Sequence, residues 1–324
     1  LTRELRAAGD RVEVFPPRRA PTRGLDEAFA RALRRARTGA CLIHHFSRRV
    51  PWLERAVFPD DLALVLVHQG ASAGLLDAPR SFARLARRAD AVAAVSRSGA
   101  RELRAFLPAG KRAAVCPNGA DAAPRRRRRK TGRPFILTIG RLAAYKGTDL
   151  LLLAFSGVAA DFPVLDLIVC GPDQSDGRLA RFAARLGLGA RVRFTGPVTP
   201  ARARRLLDAC LFFCLPSRAE GMPMALLEAM AAGKAAVAAR AGGCPEAARS
   251  GREALLVAPG DARSLERALR RLAGDAGLRA RLGAAAAARA RDYSWRRAAA
   301  LSRRLLAAAV RRRSALAPSA IIRP

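Results

Sequence analysis

Lysine is nearly missing from this chain. Only Lys111, Lys130, Lys146 and Lys234 occur, although Lys and Arg together number 60 against 26 Asp and Glu, giving a formal net charge of +34. Arginine therefore carries almost all of the positive charge, and alanine is also very abundant. This pairing marks the product of GC-rich coding, so the total charge does not by itself specify a polyanionic partner; only local clusters could. Aromatic residues make up 5% of the chain, and none interleaves with the five arginines 125–129 and Lys130, so base stacking is not provided for and no nucleic-acid partner is expected. No run of about 18 uncharged apolar residues occurs, which predicts no membrane-spanning helix. Residues 1–9 are too charged for the apolar segment of a signal peptide. The six cysteines include no Cys-x-x-Cys pair, and no His stands beside Cys210 and Cys214, so buried reduced thiols in a cytosolic protein are expected rather than a metal site. No Asp-x-Asp triplet is present, which argues against metal-clamped diphosphate chemistry; neither a cofactor nor a metal is expected.

What is present is alternation. Half of the 324 residues are apolar, enough for two ordinary domains. Short β-like runs at 11–15, 40–43, 62–68, 91–95 and 113–116 alternate with helical runs at 26–37 and 98–106. A break at 124–134, bounded by prolines and holding the arginine run, reads as a linker. The alternation then restarts, with strands at 135–139, 165–170, 192–194, 211–215, 235–239 and 254–257. Helices are expected at 147–159, 177–186, 200–209, 223–232, 262–273, 277–290 and 295–312. The fold class is α/β, two consecutive doubly wound parallel sheets. The expected boundaries are 1–123 for the first domain, 124–133 for the linker, 134–292 for the second domain and 293–324 for a final helix that crosses back to the first.

Two segments carry chemistry. In Pro216-Ser217-Arg218-Ala219-Glu220-Gly221-Met222-Pro223, a strand ends and a helix begins, with Pro223 suited to the first helical position. The helix start with Gly221 beside it is a ready phosphate site. Glu220 and Glu228 can serve a sugar and a ribose hydroxyl pair; a capped surface helix with two solvated carboxylates fits the same spacing. In Gly140-Arg141-Leu-Ala-Ala-Tyr145-Lys146-Gly147, two cations flanked by glycines can close over a diphosphate; an ordinary basic turn fits as well. Lys146 stands out because arginine is used almost everywhere else, so a lysine here suggests a need for a compact point charge.

Together these segments resemble the retaining GT-B glycosyltransferases of family 4 (glycosyl transferases group 1). The pattern continues in Gly242-Gly243-Cys244-Pro245-Glu246, Gly171-Pro172, Val192-Arg-Phe-Thr-Gly196, Pro117-Asn118-Gly119, Ser96 and His68, and it spans nearly the whole chain. The resemblance implies a GT-B fold of two Rossmann-like domains facing a cleft. It also implies transfer of a hexose-type sugar from a nucleotide diphosphate such as a UDP- or GDP-sugar, with retention, to a saccharide or lipid-linked acceptor, in polysaccharide or glycolipid synthesis. Glu220, Arg141, Lys146 and His68 would be catalytic. Gly140, Gly171, Gly196, Val198, Gly221, Met222, Met224 and Glu228 would bind the donor. His44, His45, Ser96 and Asn118 would lie on the acceptor side. The location implied is cytoplasmic, with the basic linker and final helix suggesting an anionic membrane surface as a further partner. Two departures are expected to matter. Pro223 stands where many relatives have Gly, and the family's first strand and glycine-rich loop are absent, the chain beginning inside the helix that follows. A catalytically impaired nucleotide-sugar binder on the same fold is the alternative.

Overall fold

A computed structural model describes residues 2–9, 40–45, 58–70, 79–121 and 132–316. The strand expected at 11–15, the helix at 26–37 and nearly all of the linker lie outside the described residues. The chain divides into two compact units, one formed by residues 1–117 with 295–324, the other by residues 118–294.

The first unit holds helix α1 (Thr2–Ala7) and strands β1 (Ala40–His45) and β2 (Ala63–His68). Helix α2 (Pro79–Arg88), strand β3 (Ala91–Ala94), helix α3 (Arg97–Leu103) and strand β4 (Ala113–Val115) follow. The four strands pair in parallel in the order β1-β2-β3-β4. Every residue of β2 is buried, which is why Ala-Leu-Val-Leu-Val reads as one apolar run rather than an alternation. The C-terminal helix Trp295–Leu316 belongs to this unit, with Ala298 and Ser302 against Cys116 and Arg313 Nη2 2.6 Å from Asp90 Oδ1. Asp90 is buried and also accepts the Leu64 backbone N–H at 2.8 Å.

The second unit contains β5 (Phe135–Ile139), α4 (Thr148–Asp161), β6 (Asp166–Cys170), α5 (Arg178–Arg185), β7 (Val192–Phe194), α6 (Pro200–Ala209) and β8 (Phe212–Leu215). It continues with α7 (Met224–Ala231), β9 (Ala236–Ala239), α8 (Cys244–Ala247), β10 (Leu255–Val257), α9 (Ala262–Gly274) and α10 (Ala276–Ala290). Its six strands are all parallel and run β7-β6-β5-β8-β9-β10 across the sheet. In chain order within the unit this is 3-2-1-4-5-6, the dinucleotide-binding arrangement whose strand order reverses between the first and fourth strands, here β5 and β8. The core is built from Ile136, Leu151, Phe155, Leu167, Phe212, Val237 and Leu269, all completely buried. Helix starts are fixed by polar caps. Thr199 Oγ1 accepts from Arg202 N, Asp261 Oδ1 from Ser264 N at 2.9 Å, and Asp275 Oδ1 from Leu278 N at 2.7 Å. Ser96 caps α3 in the first unit in the same way, through Gly99 N at 3.0 Å. The entering and leaving segments of the second unit are tied together, the Ala120 N–H donating to the Tyr293 carbonyl at 2.7 Å.

Most expected elements are found within one or two residues. Pro223 corrects the expectation for it: it is the capping residue, with φ −78° and ψ 82°, and Met224 opens the helix. The pyrrolidine ring suits either place, and its ψ keeps it outside the helix.

Two of the rare lysines share a geometry. Lys111 Nζ donates to the carbonyls of Ala86 at 2.8 Å and Ala89 at 2.6 Å, covering the C-terminal end of α2. Lys234 Nζ donates to the carbonyls of Asp208 at 2.8 Å and Cys210 at 2.9 Å, at the end of α6. A compact ammonium points its donors at converging carbonyls and neutralises the negative end of the helix dipole; the longer, planar guanidinium must be placed differently to do so, as Arg279 Nη1 is on the Leu272 and Ala273 carbonyls at the end of α9. Lys234→Arg is therefore expected to destabilise the second unit despite conserving charge, and Lys234→Ala to cost about 2 kcal/mol, since charge-assisted hydrogen bonds are lost. Urea unfolding of both variants checks this; an arginine variant as stable as the parent contradicts it.

All six cysteines are free; Cys41 is partly exposed and the other five are buried. Burial pushes the Cys41 thiol up to about 11. No described helix is long and apolar enough to cross a membrane.

Candidate active site at the carboxyl edge of the second sheet

The loops after β5 and β8 leave the two strands that flank the reversal of strand order, at the carboxyl ends where doubly wound sheets bind ligands. The β5 loop carries Gly140, Arg141, Tyr145 and Lys146; the β8 loop carries Ser217, Arg218, Glu220 and Gly221. They bring Lys146 Nζ to 2.6 Å from Glu220 Oε1, with the Glu220 side chain 7% exposed and the Lys146 side chain 20%. The buried hydroxyl of Ser217 donates to the same oxygen at 2.7 Å. Oε1 thus receives two donors, and Oε2 is the oxygen left for a ligand.

Arg141 is exposed, and its Nη2 donates to the Tyr145 hydroxyl at 2.7 Å. Both cations sit near the Tyr145 ring, the Arg141 guanidinium carbon 5.8 Å and Lys146 Nζ 5.3 Å from its centroid. A small recess beside them is lined by Thr138, Gly140, Arg141, Lys146, Thr148 and Leu215. Two positive groups line it, and the fixed Glu220 carboxylate lies against one of them, Lys146; together they suit a ligand with an anionic end next to a hydroxyl-bearing one.

The neighbouring turns bring backbone close. Gly140 N–H donates to the Cys170 carbonyl and Gly171 N–H to the Gly196 carbonyl, both at 2.9 Å, which lines up the ends of β5, β6 and β7. Gly242 has φ +47°, and a Cβ placed on it would lie 1.6 Å from the Glu220 carbonyl oxygen. The Gly242-Gly243-Cys244 turn therefore packs directly under the catalytic candidate. Cys244 is fully buried there; burial raises its thiol pKa, the Glu220 charge adds to the rise and Lys146 opposes it.

The other expected residues fall in several places. Gly221 and Met222 are buried beside Glu220, Met224 is the first residue of α7, and Val198 is half-buried between β7 and α6. Glu228 is exposed on α7; desolvation by the surrounding protein raises its carboxyl pKa and Arg204 lowers it. Asn118 counts with the second unit rather than the first. In the first unit, His68 is 1% exposed at the end of β2, edge-on to Phe82 at 5.7 Å. His44 Nδ1 lies 2.6 Å from Gln69 Nε2, and burial lowers its pKa. The backbone of His45 pairs with His68 across β1 and β2. Ser96 is buried as the cap of α3. Among the described residues no group of three or more His, Cys, Asp or Glu is placed to hold a metal ion.

Sequence reasoning passed over Ser217, Arg218 and Asp149. Arg218 forms a two-pronged ion pair with Asp149, Nη1–Oδ1 2.8 Å and Nη2–Oδ2 2.7 Å. A hydroxyl three residues before a buried carboxylate in one turn was the signal available for Ser217. Nothing local could have paired Arg218 with an acid in the first turn of α4.

Comparison with known proteins identifies relatives of this chain. The family model described as glycosyl transferases group 1 matches residues 120–289, more than half of the chain. The chain is 34% identical over 192 residues to a D-inositol 3-phosphate glycosyltransferase of Corynebacterium jeikeium, covering 56% of this chain and 46% of that protein. It is also 34% identical over 202 residues to the protein of that name from Acidothermus cellulolyticus, covering 58% and 44%. These matches span less than half the length of the curated relatives. Among solved structures, sucrose-phosphate synthase from Thermosynechococcus elongatus superposes with a TM-score of 0.71 at 23% identity, covering 92% of this chain and 83% of that one. HepE of Anabaena, solved in complex with UDP-glucose, superposes with a TM-score of 0.65 at 24% identity, covering 76% and 72%. The fold is thus that of the GT-B glycosyltransferases, and the chain belongs to the glycosyl transferases group 1.

Proposed function

We propose that the chain transfers a hexose-type sugar from a nucleoside diphosphate to a saccharide or lipid-linked acceptor, with retention of configuration as in family 4. The observation that carries this reading is the Lys146–Glu220 pair at the reversal point of a 3-2-1-4-5-6 sheet. As the bond from the anomeric carbon to the diphosphate breaks, negative charge grows on the leaving group and positive charge on the sugar ring. Lys146 and Arg141 are placed to stabilise the first, and Glu220 Oε2 to stabilise the second and orient the sugar. The helix start at Met224 is a place for the distal phosphate. The names of the curated relatives make a phosphorylated polyol the first acceptor class to try.

A panel of nucleotide sugars, scored by thermal shift and by slow donor hydrolysis, tests the reading. Selective stabilisation by one donor, accompanied by hydrolysis, is expected. A folded protein that no nucleotide sugar stabilises would remove it, whereas selective binding without hydrolysis, even with acceptor present, would move the chain to a binding role.

A further inference from the structure

We propose that Arg218 is a positioning residue that staples the β8 loop to the β5 loop and thereby sets the Lys146–Glu220 geometry. The proposal rests on the reading of that pair as the sugar-transfer site. Arg218 stands two residues before Glu220, and its contacts reach the residues just before Lys146. Its backbone N–H donates to the Tyr145 carbonyl at 2.7 Å, and Nη1 donates to the Ala144 carbonyl at 2.7 Å. The same guanidinium grips both carboxylate oxygens of Asp149 at the start of α4. Burial, the largest single influence on the Asp149 carboxyl, works to raise its pKa, but the hydrogen bond and charge of Arg218 together with the backbone N–H groups of Leu150 and Asp149 outweigh it and hold the pKa below the ordinary value.

The placement fits alignment better than stability. The Arg218 side chain is 37% exposed and that of Asp149 44%, the range in which ion pairs add little to folding. Yet the contacts join segments about seventy residues apart in sequence, and they do so with a planar fork that fixes direction as well as distance. Ser217 holds Glu220 from within its own loop, so the remaining freedom is that of one loop against the other, and Arg218 removes it.

The test compares Arg218→Ala, Arg218→Lys and Asp149→Asn with the parent. Arg218→Ala is expected to lower kcat by roughly 10- to 100-fold, the penalty of a misplacement of about an ångström, with a smaller change in KM for the donor. Lysine is expected to recover only part of the loss, because it cannot reproduce the two-pronged grip. A second readout needs no donor. The chain has four lysines, so isotope-labelled lysine gives a spectrum in which the Lys146 signal is identified by its disappearance in Lys146→Arg. In Arg218→Ala that signal is expected to move toward its position in Glu220→Gln, with the Lys111 and Lys234 signals unmoved. An unshifted Lys146 signal together with parental kcat overturns the proposal. If the parent itself turns over no donor, the transferase reading fails by that result, and the lysine spectrum alone decides whether Arg218 is the staple.

Discussion

Lys146→Ala is expected to abolish nucleotide-sugar binding and to destabilise the protein at the same time. The ammonium lies 2.6 Å from the Glu220 carboxylate, and under the proposed function it is the compact charge that meets the diphosphate. Its removal leaves a nearly buried carboxylate with Ser217 as its remaining side-chain donor. Breaking a buried pair from one side costs about 3–5 kcal/mol, and the partial exposure of Lys146 places this case near about 3 kcal/mol. For a unit of this size that corresponds to a fall in Tm of roughly 6–12 °C. Glu220→Gln should behave differently. The amide keeps the shape and still accepts from Ser217, so stability should change by less than about 1 kcal/mol. Donor binding should survive, but turnover should fall by about 10²–10³-fold, the usual effect of deleting one group aimed at developing charge. Melting curves, donor titration and kcat on the two variants separate these outcomes. A Lys146→Ala protein that binds donor as the parent does would remove Lys146 from the site.

Gly242→Ala is the second change with a large expected effect. The new methyl would stand 1.6 Å from the Glu220 carbonyl oxygen, and the atoms it meets are backbone, so no side-chain rotation relieves the contact. The turn or the Glu220 loop must move, and the variant is expected to lose more than about 4 kcal/mol, the size reached when a special backbone site is strained. Gly251→Ala is the internal control. Its φ is +79°, also left-handed, but nothing lies within 4 Å of the added Cβ. It should cost only the left-handed term of about 1–2 kcal/mol. Equal losses in the two variants would show that the Gly242 turn is not packed against Glu220 as described.

The contrast between what was legible and what was not follows from the range of each signal. The strands of the second unit could be read because a parallel strand buried on both faces is an unbroken apolar run, as in Phe212-Phe-Cys-Leu, and its helices because the runs between the strands are long and rich in Ala, Leu and Arg. Helix α2 was passed over because four of its ten residues are arginine and its inward face rests on Phe82, Leu85 and Ala86. Helix α8 is four residues long, too short for a period to show. In the site, Lys146 announced itself by rarity in a chain of arginines. Arg218 had the opposite problem: one arginine among so many gives no reason to seek its partner, and Asp149 is 69 residues away in sequence.

The hydrogen bond between Ala120 and Tyr293 has a consequence for the order in which the molecule is made. The second unit is a continuous insertion whose two ends are tied side by side, so it has all of its own sequence as soon as residue 294 has left the ribosome. The first unit does not: the helix that supplies Ser302 to Cys116 and Arg313 to Asp90 is synthesised after the whole of the second. Synthesis from the amino end would therefore complete the second unit first, while the sheet that begins earlier in the chain waits, with Asp90 facing Arg88 but still lacking Arg313, until the closing helix arrives.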